Sequence, residues 1–399
     1  MGLRNCLLNT VVGLLSPLVI LIWTLIKIST FNSKAHYHIL NEWLFATYMK
    51  AFLLFFEYIS LKKFYVYGDV SYLESKKEKV LYISNHLSTA DWFICCMLTA
   101  RQGNMGRCKF ILHKNLKYIP IFGLYLAQDS CIFVDRSNFQ ESKAVNAIQN
   151  IRAMQSKAWI AIYPEGRRYN PQHFDAIAKS REFAKSLNIQ PYRFHLTPRT
   201  RGFRLLLDHL RDYFDAVYDI SVVYADKNGY PLDRRKRMPQ LTDWLNSYHT
   251  LHVHIRRLPI QHVPHDGEKI DAWIHDLFHI KDEFLSNIQE NFHGDTTELA
   301  GGDISANSGY TDAQTNGSLT GEYSMSIQQQ LVRCMPPKMD RTAKILKPMT
   351  LVELVPSVIF FYGLTFYWIF GFGWYGPISF IGIALFGSML GELYVHYWV

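Results

Sequence analysis

The chain has 399 residues, room for one large or two modest domains, and is 49% hydrophobic and 15% aromatic but only 19% charged. The formal net charge of +8 admits an anionic membrane surface or a phosphorylated substrate. Nucleic acid is not an expected partner, because the chain carries no zinc-knuckle, helix-turn-helix or aromatic RNA-binding signature. Six cysteines, at 6, 95, 96, 108, 131 and 334, fit neither a zinc site nor a disulfide framework, so no metal site is expected. Their use suits a reducing compartment, with the globular part facing the cytosol.

The apolar excess sits at the two ends. Leu7 to Ile28 is apolar apart from Asn9, Thr10, Ser16, Thr24 and Lys27, long enough to cross a bilayer or to act as an uncleaved signal anchor. Trp43 to Leu61 is a second apolar stretch, interrupted by Lys50 and Glu57, that either spans or lies in the interface. From about 64 to 293 short apolar runs alternate with helical stretches. The strands expected are Phe64–Tyr67, Val80–Ile83, Phe110–Leu112, Ser130–Val134, Trp159–Ile162, Ile220–Tyr224 and Leu251–Arg256, with helices over 91–101, 138–156, 176–187, 201–213 and 268–290. That alternation predicts an α/β fold, a mostly parallel sheet flanked by helices. Residues 294–330 are rich in Gly, Ser, Asn and Thr and read as a flexible linker. Residues 351–371 and 374–398 are apolar again and read as a transmembrane hairpin, with Trp368, Trp374 and Trp398 at the interfaces. The resulting division is 1–61 for membrane helices, 62–293 for a catalytic domain, 294–340 for a linker and 341–399 for the hairpin.

The chemistry concentrates where strands end. Val80–Ile83 runs into Ser84, Asn85 and His86, polar residues suited to a turn, and Asp91 follows five residues on. If the intervening turn is irregular, the Asp91 carboxylate reaches back to the imidazole, fixing its tautomer and raising its basicity. A surface or capping pair has the same spacing. Trp159–Ile162 runs into Tyr163-Pro164-Glu165-Gly166-Arg167-Arg168, where Gly166 permits a tight turn and two guanidinium groups suit a phosphate. There Glu165 is expected to orient an arginine or accept from a substrate hydroxyl, although a solvated surface turn reads the same way. The Ser130–Val134 strand leads to Asp135 and Arg136, and His195 to Arg201 supplies further cationic side chains.

Asn85-His86 with Asp91, Phe133-Val-Asp-Arg136, Tyr163-Pro-Glu-Gly-Arg-Arg168 and Pro198 fall in the order and approximate spacing of the four motif blocks of the glycerolipid acyltransferases. The chain resembles that family strongly over 80–225 and weakly over 251–290. Lys117-Tyr-Ile-Pro-Ile-Phe-Gly123 and Leu196-Thr-Pro-Arg199 bring it nearest the 1-acylglycerol-3-phosphate acyltransferase epsilon and lysocardiolipin acyltransferase branch. The resemblance implies transfer of an acyl chain from acyl-CoA, a co-substrate and not a resident cofactor, to a lysophospholipid hydroxyl. It implies His86 as general base, Asp91 as its orienting acid, and Arg136, Glu165, Gly166, Arg167 and Arg168 around the acceptor headgroup. It also implies the endoplasmic reticulum membrane, or alternatively the mitochondrial outer membrane, with the catalytic domain in the cytosol. Ser130 stands where the family usually has Gly, Asn115 departs from a usual Lys-x-Glu-Leu, and Arg167 stands where it usually has Thr. The last leaves the choice between lysophosphatidate and lysocardiolipin, lysophosphatidylinositol or lysophosphatidylglycerol open.

Overall fold

The computed structural model describes residues 3–75, 77–118, 131–135, 141–153, 157–240, 243–245, 249–293 and 343–385, with 123, 126 and 247. The described residues include eight strands: β1 Leu61–Gly68, β2 Val80–Ser84, β3 Cys108–His113, β4 Ile132–Val134, β5 Trp159–Ile162, β6 Ala216–Ala225, β7 His249–Pro259 and β8 Lys344–Ile345. They form one sheet in the order β4-β3-β5-β2-β6-β7-β1-β8. The half from β4 to β6 is wholly parallel. β7 runs antiparallel to β6, parallel to β1, and β8 runs antiparallel to β1. The α/β expectation holds, as a mostly parallel mixed sheet.

β2 is buried along its whole length, as a strand covered on both faces must be. Its side chains alternate between two cores. Val80 and Tyr82 join one with Trp159 and Tyr218, while Leu81 and Ile83 join the other with Ile160, Ile162 and Val217. On the first face lie α1 (Leu3–Ser29), α2 (Lys34–Leu54) and α4 (Asp91–Arg101); α3 (Ser71–Ser75) is a single turn after β1. On the second lie α5 (Glu141–Ala153) and α7 (Arg201–Leu210); α6 (Phe174–Ser186) follows β5. The long helix α8 (Gly267–His293) serves both cores, Ile270 to Phe278 on the second and Phe284 to Ile288 on the first.

Among the described residues two helices are long and apolar enough to cross a membrane, Lys34–Tyr58 and α9 (Leu351–Gly371). The first begins nine residues ahead of the expected Trp43. Ser33 caps it by accepting from the His36 amide, and its first turns carry Lys34, His36, His38 and Glu42, which hide it from a hydropathy reading. α9 packs edge-on against it through Tyr48–Phe361 and Trp43–Phe360, while Val352, Ile359, Phe366, Tyr367 and Phe370 face outward. The second arm of the expected hairpin is helical over Tyr375–Leu385, and 386–399 lies outside the described residues, as does 294–342.

A buried joint ties these helices to the sheet. Glu57, in the π-helical turn Phe55–Ser60, pairs with Arg101 at the end of α4 and accepts from the Met349 amide at 2.7 Å. Arg101 also donates to the Lys347 carbonyl at 2.7 Å. β8 was not expected from the sequence. At two residues it is too short to show a period-two pattern; it adds to the sheet edge through Tyr65–Ile345 and Val66–Lys344.

Candidate active site

β2, β5 and β4 run parallel through β3, so their carboxyl ends open on one edge, where α/β sheets commonly bind ligands. β2 stops because Asn85 replaces the next backbone pairing with its side chain. Its Nδ2 donates to the Val222 carbonyl at 3.0 Å and its Oδ1 accepts from the Val222 amide at 2.8 Å. The chain then turns irregularly through 86–90, wrapped around the Asp91 carboxylate. Oδ2 of Asp91 accepts from the Leu87 amide at 2.7 Å, the Ser88 amide at 2.9 Å and His86 Nδ1 at 2.8 Å. Asp91 is 1% exposed and the His86 side chain 23%. With Nδ1–H on the acid, Nε2 carries the free lone pair.

His86 is held on three further sides. Its amide donates to Glu165 Oε1 at 2.8 Å, its carbonyl accepts from the Tyr169 amide at 2.8 Å, and the Tyr163 ring stacks on the imidazole with centroids 4.5 Å apart. An imidazole held this way needs little reorganisation to accept a proton.

The turn after β5 forms as expected. Gly166 has φ +69° and donates its amide to the Tyr163 carbonyl at 2.8 Å, a turn that only glycine adopts without strain. Arg167 and Arg168 are exposed. Arg168 donates to Gln240 Oε1 at 2.7 Å; the same oxygen accepts from the Thr89 amide at 3.0 Å, and Gln240 Nε2 donates to the Leu87 carbonyl at 3.3 Å. One amide side chain therefore holds the Arg168 guanidinium against the loop that carries His86. Arg136 lies outside the described residues; β4, which leads to it, ends at the same sheet edge.

Glu165 lies behind this turn. It is buried, and its Oε2 accepts from the Leu196 amide at 2.9 Å while Oε1 holds the His86 amide. It braces two loops from behind. Burial pushes its carboxyl up to about 8, against the opposing pull of the two amides and of the Arg234 charge. The stretch from His195 is also structural. His195 is buried, bonds Asp282 through Nδ1 at 2.9 Å, and is driven below the usual imidazole range by burial. Arg199 lies over the Phe183 ring and Arg201 pairs with Glu141.

Tyr224, Tyr163 and Gln240 were missed as members of the site. Tyr224 on β6 donates to Asp91 Oδ1 at 2.5 Å. A cavity of about 660 Å³, bordered by Lys77, Lys157, Arg211 and Arg257, opens at the amino ends of β2 and β5, the opposite edge from His86.

The acyltransferase family model matches residues 65–224, and the acyltransferase C-terminus model matches 246–298. The chain is 32% identical to 1-acyl-sn-glycerol-3-phosphate acyltransferase epsilon of Mus musculus over 273 residues, 68% of this chain and 74% of the relative. It is 28% identical to the probable 1-acyl-sn-glycerol-3-phosphate acyltransferase 5 of Arabidopsis thaliana over 254 residues, 62% of this chain and 63% of that protein. It is 30% identical to 1-acyl-sn-glycerol-3-phosphate acyltransferase delta of Homo sapiens over 217 residues, 54% of each. The chain thus spans less than two thirds of the latter two. Two matched domains in order, and a relative of this identity and coverage, establish that the chain belongs to the glycerolipid acyltransferase family.

Proposed function

We propose that this protein transfers a fatty acyl chain from acyl-CoA to the free hydroxyl of 1-acylglycerol-3-phosphate, giving phosphatidic acid. His86 Nε2 takes the hydroxyl proton as the oxygen attacks the thioester carbonyl carbon. The carbon–sulfur bond then breaks, and the coenzyme A thiolate leaves with the proton returned by the imidazolium. Asp91 holds the ring and offsets its transient charge. Arg168, with Arg167 and Arg136, grips the phosphate of the acceptor. The single observation that carries this reading is the Gln240 bridge, which sets a phosphate-matched guanidinium beside the loop of the His86–Asp91 pair.

Arg167 favours a second reading. A second exposed cation beside Arg168 suits a more anionic acceptor, such as lysocardiolipin, and makes the protein a remodelling acyltransferase. The lipid enters from a bilayer of the endoplasmic reticulum, with Lys34–Tyr58 and α9 crossing it, the C-terminal segment forming a hairpin, and the catalytic domain in the cytosol. The full chain, purified and given labelled acyl-CoA with a panel of lysophospholipids, is expected to form phosphatidic acid fastest. Faster acylation of lysocardiolipin, lost in Arg167→Thr, would select the second reading. Transfer to no lysophospholipid would overturn both.

A further inference from the structure

The Asp91 carboxylate has two inequivalent oxygens, and the residue that tells them apart lies on a different element from the loop it serves. Oδ2 takes both loop amides and the imidazole. Oδ1 takes the Tyr224 hydroxyl at 2.5 Å. Tyr224 is 1% exposed near the end of β6, its ring edge-on to Trp244, so the hydroxyl has little freedom to leave the carboxylate.

We propose that Tyr224 is the positioning residue of the His86 base, fixing the rotation and charge of the Asp91 carboxylate through Oδ1; this rests on the reading of His86 as the base. A carboxylate turns about its last bond in broad, two-fold wells. A donor dedicated to Oδ1 holds the plane in which Oδ2 meets Nδ1–H. It also draws negative charge away from Oδ2, the oxygen that faces the imidazole. Without the hydroxyl, Oδ1 is left buried with no donor, which favours rotation away from His86 or entry of water. The titratable groups around this carboxylate are His86 on the loop, Tyr82 on β2, Tyr163 and Glu165 after β5, Arg234, and Tyr224 itself. Of these, only His86 and Tyr224 bond it.

Full-length Tyr224→Phe removes one oxygen and keeps the ring. Acyl transfer to lysophosphatidate in mixed micelles is expected to fall about 10- to 100-fold in kcat, the loss of one hydrogen bond to a charged group. KM for both substrates stays within about twofold, because the binding groups lie elsewhere. The acid limb of the kcat profile moves to higher pH, because the carboxylate keeps more of its charge. Difluorotyrosine at 224, a stronger donor of nearly the same shape, moves that limb to lower pH and retains the wild-type fold. Wild-type kcat and pH profile in Tyr224→Phe, with His86→Ala inactive, would overturn the assignment alone. A Tyr224→Phe loss accounted for by unfolded protein, at unchanged kcat per folded enzyme, would overturn it as well. Acyl transfer retained in His86→Ala would overturn the base reading and this proposal together.

Discussion

Replacing Glu165 by Gln tests what the buried carboxyl does. The side chain keeps its volume and one acceptor oxygen. The other position becomes an NH2 group facing a backbone amide, either His86 or Leu196, each now 2.8–2.9 Å from an oxygen. One buried amide is left without an acceptor, a loss of about 1–3 kcal/mol. Thermal unfolding of the purified protein in detergent should show that loss, and kcat should fall because the His86 loop loosens, with the acceptor KM little changed. The pH dependence has a defined sign. The Glu165 carboxyl titrates near 4.5 in an unfolded chain and at about 8 in the fold, raised mainly by burial. Its contribution to stability is complete below pH 4.5 and is lost as pH rises through about 8. The wild-type advantage over Glu165→Gln should therefore shrink between pH 5 and 8. A raised acceptor KM at unchanged stability would mean that Glu165 faces substrate after all, and would refute the brace.

Arg168→Ala is expected to raise the KM for a phosphate-bearing acceptor at least tenfold while leaving that for acyl-CoA alone, since one charge-assisted contact carries about 1.5–3 kcal/mol; an unchanged acceptor KM would count against the headgroup role. Gln240→Ala should produce a milder version of the same change, because Arg168 remains but is no longer tethered; kinetics on both acceptors and acyl-CoA separate the two. Glu57→Gln breaks the joint between the Lys34–Tyr58 helix, α4 and the segment entering α9, leaving the partly buried Arg101 without its partner carboxylate. A loss of about 3–5 kcal/mol is expected, read as a fall in unfolding temperature, and limited proteolysis after β8 should quicken. An unfolding temperature equal to wild type would show that the joint is not structural.

The sheet was legible because its central strands are short, branched and apolar on both faces, a pattern that Val80–Ile83 and Trp159–Ile162 state plainly. The His86–Asp91 contact was legible as a condition: it needed an irregular turn, and the turn is irregular because Asp91 itself collects the Leu87 and Ser88 amides. What stayed hidden depended on distant partners. Nothing local tells that the oxygens of Glu165 meet amides 79 and 31 residues away. Tyr224 read as one more aromatic of a buried strand, and only the parallel pairing of β2 with β6 brings its hydroxyl to Asp91. Gln240 sits in a stretch without periodicity, so no pattern pointed to it.

The most direct measurement is acyl transfer by the full chain in phospholipid vesicles, with labelled acyl-CoA and lysophosphatidate, for wild type against His86→Ala matched for folded protein. Loss of a proton acceptor is expected to cost about 10²- to 10⁴-fold in kcat with the unfolding temperature unchanged. Transfer at the wild-type rate would contradict the account.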